Sequence, residues 1–248
     1  MSQQTQVDRV VPKFLAFVAA YPTPRECAEA PLGDLLTLWS GLGYPRRCRN
    51  LHEASKAIVD RHGGVVPDTL EELLALPGVG DYTARAVLIF ADHRDIGVVD
   101  TNVARVIARI ENRAMTKSEV QSVADAAVPS GLSWEWNQVV MDFGATVCTA
   151  RAPRCGTCPL RALCGWAGSN GDDPAPRTAG TSRPQGRFEG SDRQARGRLM
   201  KELTTRGVRP QDAAIVMGDL DAGRARRLVG QLVAEGLVVE RDGFLSLP

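Results

Sequence analysis

Apolar residues recur every three to four positions from residue 6 to about 165, the period that predicts helices. The stretches read this way are Val7–Ala20, Pro31–Leu42, Arg46–His62, Leu70–Leu76, Ala84–Ala91, Asn102–Ile110, Lys117–Val128 and Asn137–Gly144. Alternation of period two is scarce, so this part reads as an all-α domain with short turns. From 167 to 190 the pattern lapses. Gly, Pro, Ser and Asp crowd the stretch without a period, which predicts a flexible linker. Order returns over 191–248. Gln194–Thr205 and Asp221–Glu235 are amphipathic, and two apolar runs flank Arg241-Asp242-Gly243, where Asp-Gly signals a hairpin. Helices followed by a hairpin predict a small winged-helix-like domain. Arg224, Arg226 and Arg227 open its last helix, either as a solvated face or as DNA contacts.

The 248 residues are 44% hydrophobic, enough for one large domain or one domain plus a small one. Aromatics make up only 5%, which fits a helical protein. A net charge of +1 argues against a histone-like polycation, but a DNA enzyme needs only a local basic face. No apolar signal segment or membrane-length run is visible, so a cytoplasmic, membrane-free protein is expected. His52, His62 and His93 are scattered and read as surface or capping residues, which leaves no histidine-based metal site. Cys27 and Cys48 have no spacing partner and read as buried or half-buried thiols.

Two short segments carry the chemistry. The first runs Leu-Pro-Gly-Val-Gly over 76–80 into a segment apolar at Ala84, Val87, Leu88 and Ala91. Gly78 and Gly80 can turn the backbone tightly around Val79, and the helix start after them points N–H groups and a positive dipole end outward, which suits a phosphate. The second segment holds Cys148, Cys155, Cys158 and Cys164 in a C-x6-C-x2-C-x5-C run. Four clustered thiols in a chain without secretion signals point to a metal centre rather than disulfides. Their softness suits an iron–sulfur cluster or zinc.

These motifs resemble those of the helix-hairpin-helix DNA glycosylases, and within them the MutY-type adenine glycosylases. The glycine turn is similar to the family's hairpin. The cysteine run resembles the 4Fe–4S loop of the endonuclease III and MutY enzymes. Gln3-Gln4-Thr5-Gln6-Val7 and Leu38-Trp39-Ser40-Gly41-Leu42-Gly43-Tyr44, continuing to Arg49-Asn50-Leu51-His52, resemble MutY-type segments closely. The resemblance spans residues 1 to about 166 and implies a mainly α fold of this superfamily with an iron–sulfur loop.

It also implies roles. Asp100, about twenty residues after the hairpin, would stabilise the cationic sugar, and Asn102 would orient it or the nucleophile. Gln4, Thr5, Leu42 and Tyr44 would contact DNA, with Gln4, Leu42 and Tyr44 as wedges or probes at the base left behind by flipping. Arg151 and Arg154 would meet the DNA backbone, and the cysteines would hold a 4Fe–4S cluster. Tyr82 stands where strand-cutting relatives carry a Schiff-base lysine; the only lysines are Lys13, Lys56, Lys117 and Lys201, and none fits, which implies a monofunctional hydrolase. The implied enzyme is a monomer acting on double-stranded DNA, with adenine opposite 8-oxoguanine or guanine as target.

The sequence departs from the pattern twice. The family's acid, a glutamate, precedes the Met-x-Gln-Gln-Thr segment, and the sequence begins at that Met1. A start lying upstream is expected; the alternative is a chain that binds DNA without excising adenine. The tail is also too short for the family's Nudix-like domain and resembles the winged-helix ending of actinobacterial-type relatives. A mismatch thymine or uracil glycosylase and a non-catalytic iron–sulfur DNA-binding protein are the competing readings.

Overall fold

The computed structural model describes residues 1–2, 5–169, 171–181 and 186–248, so Gln4 lies outside the described residues. The chain is mainly helical. In order it forms α1 (Val7–Ala20), α2 (Pro24–Glu29), α3 (Leu32–Trp39), α4 (Arg46–His62), α5 (Leu70–Leu74), α6 (Asp81–Phe90), α7 (Thr101–Ile110), α8 (Lys117–Ala126) and α9 (Ser133–Thr146). After the cysteine loop come α10 (Asp192–Glu202), α11 (Ala213–Val216), α12 (Ala222–Ala234), β1 (Val239–Arg241) and β2 (Phe244–Ser246).

Local chemistry explains where the elements begin and end. The periodicity did not reveal α2, which is too short to show a period. It starts on a capping box, with Thr23 accepting from Glu26 N, Glu26 accepting from Thr23 N, and Pro24 in the first turn. Helix α4 stops at Gly63, which adopts the left-handed conformation. The hairpin turn is Asp242-Gly243, both at positive φ, which matches the twist of paired strands.

The chain divides into two compact units. The first combines Met1–Pro67, Leu76–Gly78 and Gln185–Pro248. The tail is therefore not set apart from the N-terminal helices, as reading it as a separate module behind a linker had suggested. Leu35, Trp39 and Cys48 share one apolar core with Leu199, Leu228, Leu232 and Leu245. Hydrophobic period alone cannot say which faces meet, so this partnership is a tertiary fact. Cys27 and Cys48 are buried as expected, and burial pushes the Cys48 thiol up to about 12. His52 corrects its reading as a surface or capping residue. It is buried on α4, within hydrogen-bond distance of Ala28 O (3.2 Å), and burial lowers its pKa.

The second unit is Asp68–Ala75 with Val79–Pro184, and α7 runs through it. Every residue from Val103 to Arg109 is buried, arginines included. Helix α9 packs on α7 at Gly144, where an added Cβ would come within 2.7 Å of Asn102 Cβ. Composition predicts a flexible linker over 167–190, yet part of this stretch is ordered against α7. Asp173 pairs with Arg109 at 2.6 Å, and Thr178 and Ala179 bond the backbone of Met115. No helix among the described residues is long and apolar enough to cross a membrane.

Because the first core draws on both ends of the chain, Leu232→Ala should cost about 2–5 kcal/mol. Urea unfolding followed by circular dichroism should show the lowered midpoint. It should also expose apolar dye-binding surface contributed by α3 as well as α12.

Candidate active site and nucleic-acid interface

Asp100 is the N-cap of α7. Its Oδ1 accepts from the backbone N–H of Asn102 (2.8 Å) and Val103 (2.7 Å), and its Oδ2 accepts from Asn102 Nδ2 (2.9 Å). Three donors fix the carboxylate at the positive end of the helix. Asn102 is held in turn, because Arg105 Nη2 donates to its Oδ1 (2.8 Å). The buried Arg105 also donates to Gly144 O (2.6 Å) and, through Nε, to Cys148 O (2.8 Å). A chain of hydrogen bonds thus joins Asp100 to the start of the cysteine loop. Arg105 and Arg109 were not anticipated as site residues. The available signal was two arginines four apart on an otherwise apolar helix face.

Tyr82, on α6, is 40% exposed. Burial and the negative charge of Asp100 raise its pKa, so the phenol stays protonated at neutral pH. The lysine in this unit, Lys117, is occupied with Asp81 at 3.1 Å.

The glycine turn has the backbone its sequence suggested. Gly78 sits at φ +74, and a Cβ there would come within 2.5 Å of Asn50. Gly80 caps α6, leaving first-turn N–H groups directed out of the helix. Asp81 puts a negative charge at this helix start, balanced by Lys117 and by Arg85 (3.4 Å).

In the first unit, the turn after α3 carries Leu42 and Tyr44. Gly41, Gly43 and Tyr44 all have positive φ, an unusual and strained setting for Tyr44. Arg47 ties the turn together. It donates to Leu42 O (3.2 Å), Gly43 O (3.3 Å), Thr5 Oγ1 (3.0 Å) and Met1 O (3.1 Å). Thr5 donates to Leu42 O (3.1 Å), so the structure brings Thr5 and Leu42 together. Tyr44 is exposed, whereas Leu42 is only 4% exposed. A turn of this kind can expose both side chains, and here Tyr44 is exposed while Leu42 is drawn into the core behind the turn. Arg224 and Arg227 are tied to Asp192 at 2.7 and 2.8 Å.

The four cysteines ring one cavity, walled by Val106, Phe143, Pro153, Leu160 and Trp166. None forms a disulfide. Four free thiols around an apolar space suit a polynuclear cluster. Arg109 borders it, donating to Cys148 Sγ (3.3 Å), Thr149 O (2.8 Å) and Asp173. Burial works against the Arg109 charge, but Asp173 and Cys148 outweigh it and hold the group protonated. Arg151 and Arg154 are exposed on the same loop.

A capped carboxylate behind a helix-hairpin-helix, with a four-thiol loop, is the layout of a helical nucleic-acid enzyme carrying an iron–sulfur centre. Comparison with known proteins agrees. Residues 1–129 match the family of HhH-GPD superfamily base excision DNA repair proteins, and residues 148–164 match the iron-sulfur binding domain of endonuclease III. The adenine DNA glycosylase of Mycobacterium tuberculosis is 40% identical over 267 residues, covering 100% of this chain and 83% of that protein. Among solved structures, a thermostable thymine-DNA glycosylase superposes with a TM-score of 0.61 at 27% identity, covering 66% of this chain and 79% of that one. Endonuclease III in a non-covalent DNA complex gives a TM-score of 0.59 at 29% identity, covering 67% and 79%. The chain belongs to the HhH-GPD superfamily of base excision DNA repair proteins. Its cofactor is a 4Fe–4S cluster.

Gly78→Ala forces a side chain into a left-handed turn and against Asn50, at a cost of about 1–3 kcal/mol. Duplex affinity measured by fluorescence anisotropy should fall while far-ultraviolet dichroism stays helical. Arg105→Ala leaves Asn102 Oδ1, Gly144 O and Cys148 O without their donor. Thermal unfolding should register a loss of about 1.5–3 kcal/mol.

Proposed function

We propose that this chain is a monofunctional adenine DNA glycosylase. It hydrolyses the N-glycosidic bond of adenine paired with 8-oxoguanine or guanine in double-stranded DNA. The observation that carries the reading is Asp100, fixed by three donors, in a chain 40% identical along its full length to an adenine DNA glycosylase.

The chemistry follows from charge. Breaking the bond leaves positive charge on the sugar and negative charge on the base; water gives its hydroxyl to the sugar carbon and its proton to the departing adenine, and the base must first leave the stack. Asp100 meets the sugar charge as an anion that needs no reorganisation, because Asn102 and the α7 N–H groups already hold it. Asn102 serves as orienting group. Tyr82, a protonated phenol, takes the place of an amine nucleophile, so the strand is not cut by a Schiff-base route. The turn Gly78-Val79-Gly80 receives a phosphate, and Arg151 and Arg154 meet the backbone. Gln4, Thr5, Leu42 and Tyr44 act where the flipped base was. Cys148, Cys155, Cys158 and Cys164 would hold the cluster, which when bound cross-links the loop carrying the two arginines. The protein works as a monomer in the cytoplasm. A thymine-directed activity is the second reading, favoured by the likeness to the thermostable thymine-DNA glycosylase.

The test is single-turnover base release from duplexes holding adenine opposite 8-oxoguanine or thymine opposite guanine. Adenine release that falls at least about 10²-fold in Asp100→Asn is expected. Thymine release alone would move the chain to the second reading. No release of either base, with iron and duplex binding intact, would overturn both.

A further inference from the structure

The hairpin of β1 and β2 has two unlike faces. Val239 pairs with Ser246, Glu240 with Leu245 and Arg241 with Phe244. On the other side of β2, Val208 and Leu245 exchange both backbone hydrogen bonds (3.0 and 2.7 Å) in an antiparallel bridge. One step along that register sets Arg209 opposite Phe244. A row of three therefore crosses the ribbon, Arg209–Phe244–Arg241, and residues directly opposite one another share a face. The Arg209 guanidinium lies 5.6 Å from the Phe244 ring centre, as that row requires. All three belong to one compact unit.

The neighbouring row faces inward. Val208 and Leu245 are 2% and 0% exposed and belong to the apolar core. The row of Arg209, Phe244 and Arg241 takes no part in that core. Phe244 is 42% exposed, and both arginines are exposed. Gly207 puts no side chain over the ring, where an added Cβ would stand 3.4 Å from Phe244 Cβ. Among the described residues, no hydrogen bond or ion pair holds either guanidinium. Of the ribbon's two carboxylates, Glu240 belongs to the row of Leu245 and Asp242 to the turn.

Two groups that carry donors only, on either side of an open ring, call for a ligand rich in anionic acceptors. Duplex DNA meets that demand. Adjacent strands lie about 4.8 Å apart, so the arginine backbones stand roughly 10 Å from each other. From there two long side chains reach both walls of a minor groove about 6 Å wide, with the ring between them. Arginine beside an apolar wedge is the arrangement minor-groove binders use.

We propose that this face of the hairpin is a DNA contact in its own right. Arg209 and Arg241 each meet a backbone phosphate, and Phe244 lies in the minor groove between them. The inference rests on reading the chain as an enzyme of double-stranded DNA, and it adds a contact independent of sequence and of the lesion.

The test is equilibrium binding to a duplex holding a tetrahydrofuran abasic site, followed by fluorescence anisotropy over a series of salt concentrations. For wild type, log affinity should fall linearly with log salt. Arg209→Ala and Arg241→Ala should each make that slope shallower by about 0.9, and the double variant by about twice as much. Arg209→Lys keeps a cation and should keep the slope. Phe244→Ala should weaken binding at every salt concentration with the slope unchanged. Arg25→Ala removes the same charge from an exposed position on α2 and should change neither affinity nor slope. Circular dichroism checks that each variant is folded. Wild-type affinity and slope in the double variant would overturn the proposal and leave this face to a partner other than DNA. A slope change in Arg25→Ala equal to that in Arg209→Ala would make the effect one of net charge and overturn it too. A wild type that does not bind the duplex would defeat the reading as a DNA enzyme, and the inference with it.

Discussion

Two guanidinium groups buried along one face of α7 hold the second unit together. Arg105 and Arg109 are 6% and 1% exposed, and such groups are tolerated inside a protein only when their donors are met. Here they are met by the cysteine loop, by α9, by Asn102 and by Asp173. Burial and the like charge of Arg109 pull the Arg105 pKa down, and the facing thiol and carboxylates oppose that pull. The Asp100 carboxylate, the cysteine loop and the segment after it are all positioned from this one helix.

The same economy governs the candidate site. Asp100 serves as helix cap and is the carboxylate that the proposed chemistry uses. Its orientation follows from the backbone N–H groups that any helix start leaves unpaired. The Asn102 amide closes the cap, and Arg105 closes Asn102. Both carboxylate oxygens are thus held by donors within the chain itself.

The first unit solves a different problem. Its turn holds Tyr44 at positive φ and keeps Leu42 packed, with Arg47 bridging carbonyl oxygens that the turn leaves free of regular structure. The tail contributes to the same core and reaches the same turn through Arg193. A small, mainly helical unit gains burial from both chain ends, so the short tail is part of its core.

Much of this was legible in the sequence because it is local. Helical period, capping residues, the Asp-Gly hairpin, the Gly-Val-Gly turn and the cysteine spacing depend on neighbours a few residues away. They predicted the mainly α fold, several helix spans and the place of Asp100 before α7. What the sequence could not settle was which distant surfaces meet. Asp173 sits in a Gly- and Pro-rich stretch, and the buried charge of Arg109 together with bonds to the Met115 backbone draws that stretch into order. His52 and Leu42 are buried, and the tail shares a core with α3, because apolar faces choose partners by shape across the whole chain. Chain-local physics determined the elements and the chemistry they carry; long-range packing and the pairing of buried charge decided how those elements are joined.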